Sequence, residues 1–306
     1  MKDIKRLLIG LDHSEMDKTL IEYTLYFSGF LPVTEIIIVN VIPDLHIPDE
    51  VLSEFPDLKE KVISDREEEI RKIVGPYFEE KDLQLQYIIR EGVPTKFIMD
   101  YSHDHDIDLI IIGRKKMLPT SGVTIPRLAR RSDCNLLIVP EGARPSLKTI
   151  CVPIDFSDYS NLSINHAIDL AVKTTPPIEI VCQHVYNVPT GYTHIGKTYK
   201  EFATIMKRNA EKNFKALLKG IDARGTKIRP VFNLESKEDV SAKVCELVDK
   251  VKADLLIIGA KGRTATAALF IGTFAEKLIH VIKDTPIFIA RPKGQHKGIL
   301  DYIRGL

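Results

Sequence analysis

The strongest constraint on the fold is an internal repeat. Ile4 to Glu15 (IKRLLIGLDHSE) lines up with Leu147 to Asp158 (LKTICVPIDFSD), each an apolar run that ends in Asp and, two places on, Ser. Asp106 to Lys115 (DIDLIIIGRK) lines up with Lys252 to Lys261 (KADLLIIGAK), and Cys134 to Pro140 (CNLLIVP) with Thr285 to Arg291 (TPIFIAR). The blocks keep one order in both halves, so the chain reads as a tandem duplication. Its joint is Glu141 to Lys148 (EGARPSLK), which has the Gly, Pro and Ser of a connector. The expected division is residues 1–143, residues 147–292 and a tail over residues 293–306.

Within each half, short continuous apolar runs alternate with helical patterns. RLLIGL, EIIIVNV, LQLQYII, DLIIIG and NLLIVP serve the first half; TICVPI, IEIVCQHV, KIRPVF, DLLIIG and PIFIAR serve the second. Runs without polar alternation suit strands covered on both faces, as in a parallel sheet flanked by helices. Both halves are therefore expected to be doubly wound α/β units. Helices are expected over Asp17 to Phe30 and Ser160 to Thr174, the second N-capped by Ser157 or Asp158. Pro48 to Val74 and Tyr199 to Gly220 read as charged amphipathic helices with a solvated face.

Lys plus Arg total 43 against 42 Asp plus Glu, so bulk charge gives no reason to expect nucleic acid or an anionic membrane as a partner. The first apolar run is broken by Asp12, too early for a signal-peptide core or a membrane span, and the expected location is the cytoplasm. Cys134, Cys151, Cys182 and Cys245 form no CxxC pair and read as free, mostly buried thiols.

A glycine-bearing loop carries the functional signal. Gly259 ends an apolar run; two residues separate it from Gly262, and nine more lead to Gly272 and Thr273. In an open parallel sheet ligands bind beyond the carboxyl ends of the strands. A helix starting near Gly272 offers its unpaired N–H groups to an anion there. Neither a P-loop nor a GxGxxG follows the first strand.

The spacing resembles the nucleotide-binding signature of the universal stress protein family, G-x2-G-x9-G-[ST]; FAEKLIHVIKDTPIFIAR, VPIDFSD and HVYNVP are similar to the family's closing helix and strand, first-strand end and second-strand end. The resemblance implies two tandem Rossmann-like domains, each a five-stranded and mainly parallel sheet. It also implies pairing through the last strands, Leu136 to Val139 and Ile287 to Ala290. It assigns Asp155 and the backbone of Val185 to the adenine and ribose end, with Pro153 shaping the turn. Gly259, Lys261, Gly262, Gly272, Thr273 and Phe274 would surround the phosphates, with charge from Lys261 or Arg263.

The first half departs from this pattern. Lys116 stands where the second glycine belongs, Ser121 and Gly122 replace the Gly-Thr pair, and the intervening loop is shorter. That half is expected to bind nucleotide weakly or not at all, although Asp12 matches Asp155 and Arg114, Lys115 and Lys116 supply charge for a smaller anion. SHDHD (Ser102 to Asp106) reads as a polar helix end, not a metal cluster, and His184 as a strand-end packing residue, since no nucleophile accompanies it. Lys115 to Arg131 is basic but lacks aromatic residues to stack bases. Ile299, Leu300, Tyr302 and Ile303 in the tail have helical spacing, suited to docking on the protein or a second chain.

The resulting expectation is a cytoplasmic stress-response protein that binds ATP, with Mg but without a dedicated protein metal site, as a regulatory ligand of its C-terminal domain. Its partners would be the adenine nucleotide and a homodimer mate or regulatory protein. The alternatives are a slow ATPase or phosphotransferase, and a scaffold that binds no nucleotide; no catalytic residue is assigned.

Overall fold

A computed structural model of the chain describes residues 1, 3–116, 121–235, 239–262 and 271–293, with residues 121–123 given by backbone alone. It divides into two compact units, made mainly of residues 2–145 and 146–291. In the first, the chain runs β1 (Arg6–Leu11), α1 (Met16–Ser28), β2 (Glu35–Ile42), α2 (Asp49–Glu54), α3 (Leu58–Phe78), β3 (Gln84–Glu91), α4 (Pro94–Asp104), β4 (Leu109–Arg114), α5 (Ser121–Arg131) and β5 (Asn135–Pro140). The five strands lie in the order β3-β2-β1-β4-β5, all parallel.

The second unit repeats the plan: β6 (Thr149–Pro153), α6 (Asp158–Ala171), β7 (Glu179–Tyr186), a 3-10 turn at Thr190–Ile195, α7 (Tyr199–Lys219), β8 (Lys227–Leu234), α8 (Val240–Val251), β9 (Leu255–Gly259), α9 (Thr273–Val281) and β10 (Ile287–Ala290). Its strands are ordered β8-β7-β6-β9-β10, again all parallel. Strand order reverses between the first and fourth strands of each unit, β1/β4 and β6/β9, which opens a crevice at their carboxyl ends. The central strands are sealed: Leu8, Ile37, Ile110 and Leu137 in one unit, and Ile150, Ile180, Ile257 and Phe288 in the other, are fully buried.

The aspartate that opens each matched block DLIIIG and DLLIIG clamps the sheet at its amino end. Asp108 Oδ2 accepts from the backbone N–H groups of Lys5 and Arg6 at 2.8 and 2.9 Å. Asp254 Oδ2 does the same for Lys148 and Thr149, both at 2.9 Å. At the opposite end, Asn40 Nδ2 donates to the Leu11 carbonyl at 3.0 Å, and His184 Nδ1, which follows the same geometry in the second unit, lies 2.8 Å from the Ile154 carbonyl. The donor role fixes the His184 tautomer, with the proton on Nδ1. His184 is thus a strand-end support, in line with the sequence reading.

Two helix expectations change. Pro48 to Val74 is not one helix: α2 stops at Glu54 and α3 starts at Leu58, because Pro56 pushes Phe55 out of the helical region, to φ −128 and ψ 76. Ser157 alone caps α6, its side chain accepting from Ser160 N, while Asp158 is the first helical residue, where its charge suits the helix dipole. The start of α7 is closed by a reciprocal capping box of Thr198 and Glu201, a signal present in the sequence but not used in its reading.

Three cysteines, Cys134, Cys151 and Cys182, are buried and free, and burial raises the Cys151 and Cys182 thiols above their usual range. In the Ser102 to Asp106 segment, His103 pairs with Asp133 at 2.7 Å and His105 stacks on Tyr101. Asp254→Ala is expected to lower stability by about 2–4 kcal/mol, because two N–H groups lose a charged acceptor; urea unfolding against wild type measures it, and the Asp108 counterpart should behave alike.

Candidate functional site

The crevice between β6 and β9 opens into a cleft of about 810 Å³ confined to the second unit. Pro153, Ile154 and Asp155 line it from the end of β6, His184 and Val185 from β7, and Gly259 from β9. The loop and helix after β9 supply Lys261, Gly262, Ile271, Gly272, Thr273 and Phe274. Every residue named above as a nucleotide-site candidate of the second half except Arg263 therefore lines one cavity; Arg263 lies outside the described residues.

Asp155 is set in place by its neighbours. Phe156 turns the chain through the left-handed region (φ 64), which brings the start of α6 back over the carboxylate. Oδ1 then collects Ser157 N at 3.1 Å, Ser157 Oγ at 2.5 Å and Ser160 Oγ at 2.7 Å, while Ser160 Oγ accepts from Asp155 N at 2.9 Å. The other oxygen, Oδ2, lies against Gly262: a Cβ on Gly262 would stand 2.8 Å from it. A side chain at 262 would therefore have to shift the Asp155 carboxylate, and the glycine is not there for an unusual φ. A Cβ at Gly259 would likewise approach Tyr159 Cβ to 2.7 Å, so this glycine lets α6 pack on the end of β9.

The loop that follows begins and ends at one place. Gly272 N donates to the Ala260 carbonyl at 2.8 Å, and Ala260 N donates to the Ala290 carbonyl at 3.0 Å, so Gly272 lies beside the carboxyl end of β9. Gly272 is the N-cap of α9 and has no side chain to cap the helix, which leaves the N–H groups of the first turn directed at the cleft. Burial, helped by the nearby Arg291 guanidinium, holds the Lys261 amine below the usual lysine range. An anion beside it would favour its charged form.

Several lining residues escaped the sequence reading. Asp239, the N-cap of α8, forms an ion pair with Lys277 of α9 across the cavity lining. Val240 and Val244 of α8 face the cleft with Gln183 of β7. Gln183 stands out in the sequence as a lone amide in an apolar strand; Asp239 and Lys277 carry no comparable signal, since α8 and α9 meet only in the folded unit.

The matching place in the first unit is arranged differently. Asp17 occupies the position of Ser160, five residues beyond the strand-end aspartate, and accepts from Asp12 N at 3.0 Å and His13 N at 2.8 Å. A carboxylate cannot donate to Asp12 as Ser160 does to Asp155; burial, with the Asp12 charge adding to it, raises the Asp17 carboxyl above its ordinary value. Asp12 is instead ion-paired with Lys115, and Lys116 N is held by Glu141 at 2.8 Å. Ser121 and Gly122 are described by their backbone alone.

Among the described residues no helix is long and apolar enough to cross a membrane, and no cluster of three His, Cys, Asp or Glu residues is placed to hold a metal ion.

Comparison with known proteins agrees with the geometry. The model of the universal stress protein family matches the chain twice, over residues 3–140 and 146–284. Universal stress protein MJ0531 of Methanocaldococcus jannaschii is 28% identical over 149 residues, which cover 48% of this chain and 84% of that protein. A universal stress protein from Archaeoglobus fulgidus superposes with a TM-score of 0.64 at 17% identity, over 94% of this chain and 97% of that one. A functionally unknown protein, PA1789, from Pseudomonas aeruginosa superposes at 0.65 and 14% identity, over 99% and 98%. With the family model matched in each half and the strand order repeated to the last strand, the chain belongs to the universal stress protein family as a tandem member.

Proposed function

We propose that the chain is a cytoplasmic stress-response protein whose C-terminal domain, residues 147–292, binds ATP with Mg as a regulatory ligand. The N-terminal domain, residues 1–143, is its degenerate partner, and residues 293–306 form a tail. The observation that carries this reading is the convergence, in one cleft at the strand-order reversal, of a pre-set Asp155, a loop opened by Gly262 and the uncapped start of α9. Asp155 suits ribose hydroxyls, which donate to a carboxylate. Pro153, Ile154 and Val185 offer apolar surface to a base. The Gly262 loop, Gly272, Thr273 and Phe274 surround the phosphates with N–H groups, while Lys261 and Arg263 supply positive charge. Mg would bridge phosphate oxygens and need no protein cage.

A regulatory ligand suits the cleft better than a substrate turned over. Among the described residues the carboxylates that line it are Asp155, engaged by two serines, and Asp239, engaged by Lys277, and neither is arranged to position an attacking water. Occupancy then acts by favouring whichever conformation binds ATP more tightly, through its differential affinity.

Mg-ATP at about a hundred times its Kd should stabilise the protein by about 2.7 kcal/mol, seen as a rise in Tm. Titration calorimetry should give one site per chain; two equal sites, or none, would overturn the assignment. Gly262→Lys, which copies Lys116, should weaken ATP by at least about tenfold; unchanged binding would exclude this loop. Ser160→Asp, which copies Asp17, places a like charge against Asp155 and should also cost about tenfold or more in ATP affinity, read in the same titration.

A further inference from the structure

The helix between the third and fourth strands starts differently in the two units. The N-cap of α4 is Val93, exposed and without a side-chain hydrogen bond. The N-cap of α8 is Asp239, whose Oδ1 accepts from Ser241 N at 3.2 Å. The acidic cap belongs to the unit that has the cleft, and it lines that cleft. Its other oxygen, Oδ2, pairs with Lys277 Nζ of α9, which lines the same cleft.

Lys277 is four places beyond Thr273, the first residue of α9, so the two share a helix face. Four residues rise about 6 Å, and helical side chains lean toward the start of their helix. The ammonium thus serves the same end of α9 whose N–H groups, left without a side-chain cap by Gly272, are directed at the cleft. It adds a full charge and three N–H donors where the helix itself offers only partial charge. Lys277 and Asp239 are 49% and 46% exposed, so solvent and solutes reach both. A pair so exposed adds little to stability, and a more highly charged anion can replace the carboxylate in it.

We propose that Lys277 is a further phosphate-binding residue of the cleft and that Asp239 competes with the ligand for it: a phosphate of ATP takes the ammonium over from the carboxylate. This deepens the ATP reading and rests on it. The competition holds the affinity below what the cleft would have with an unpaired ammonium, so the site responds over a higher range of ATP concentration.

The test is titration of the full chain with Mg-ATP for wild type, Asp239→Asn, Lys277→Gln and the double variant. Asparagine caps a helix as well as aspartate does, so α8 keeps its start. Asp239→Asn should tighten ATP by about tenfold, and Lys277→Gln should weaken it by about tenfold. Losing the Asp239 charge also relieves its direct repulsion of the phosphates, which does not require Lys277, so the two backgrounds are compared: when Lys277→Gln is already present, Asp239→Asn should gain no more than about threefold. An equal gain in both backgrounds, Lys277→Gln binding ATP as wild type does, or Asp239→Asn binding it no more tightly, would overturn the competition while leaving the nucleotide site standing. Wild type binding no ATP would overturn the nucleotide reading and this inference with it.

Discussion

Because β6, β7 and β9 are apolar on both faces, helices must cover both sides of the sheet, and the strand ends are what remains open. Asp254 pins the amino end of β6 next to β9, while at the carboxyl ends the strand order reverses. The cleft is a consequence of that topology. Its chemistry is added by the few residues that happen to stand at the rim.

The two units show how few those residues are. Both keep the Asp clamp, the strand order, the left-handed residue after the strand-end Asp (His13 and Phe156) and a side chain supporting the last carbonyl of the first strand. They differ at Asp17 against Ser160, Lys116 against Gly262 and Val39 against Gln183. In the first unit Lys115 neutralises Asp12 from within the chain. Asp12 also accepts from Ser14 Oγ, and Asp155 accepts from the hydroxyls of Ser157 and Ser160 and from the Ser157 backbone N–H. One fold thus supports two rims built from different side chains.

Much of this was legible beforehand because it depends on local pattern. Unbroken runs such as DLLIIG specify buried parallel strands, and the spacing of Gly259, Gly262, Gly272 and Thr273 marks where backbone must come close to something. Helix ends were less legible. Pro56 was in plain view, yet its power to split Pro48 to Val74 depends on whether packing could rescue a kink. Ser157 and Asp158 were equivalent as caps until the backbone at Ser157 was seen to be extended.

Sequence alone determined the duplication, the α/β class, the strand assignments and the glycine spacing, since each rests on hydrophobic periodicity or on the steric needs of a single residue. Tertiary structure decided which distant residues share the rim. It placed Gln183 beside α8, joined Asp239 to Lys277, and set Gly262 against the oxygen of Asp155. Those relations depend on the packing of elements far apart in the chain, and no local pattern encodes a distance between them.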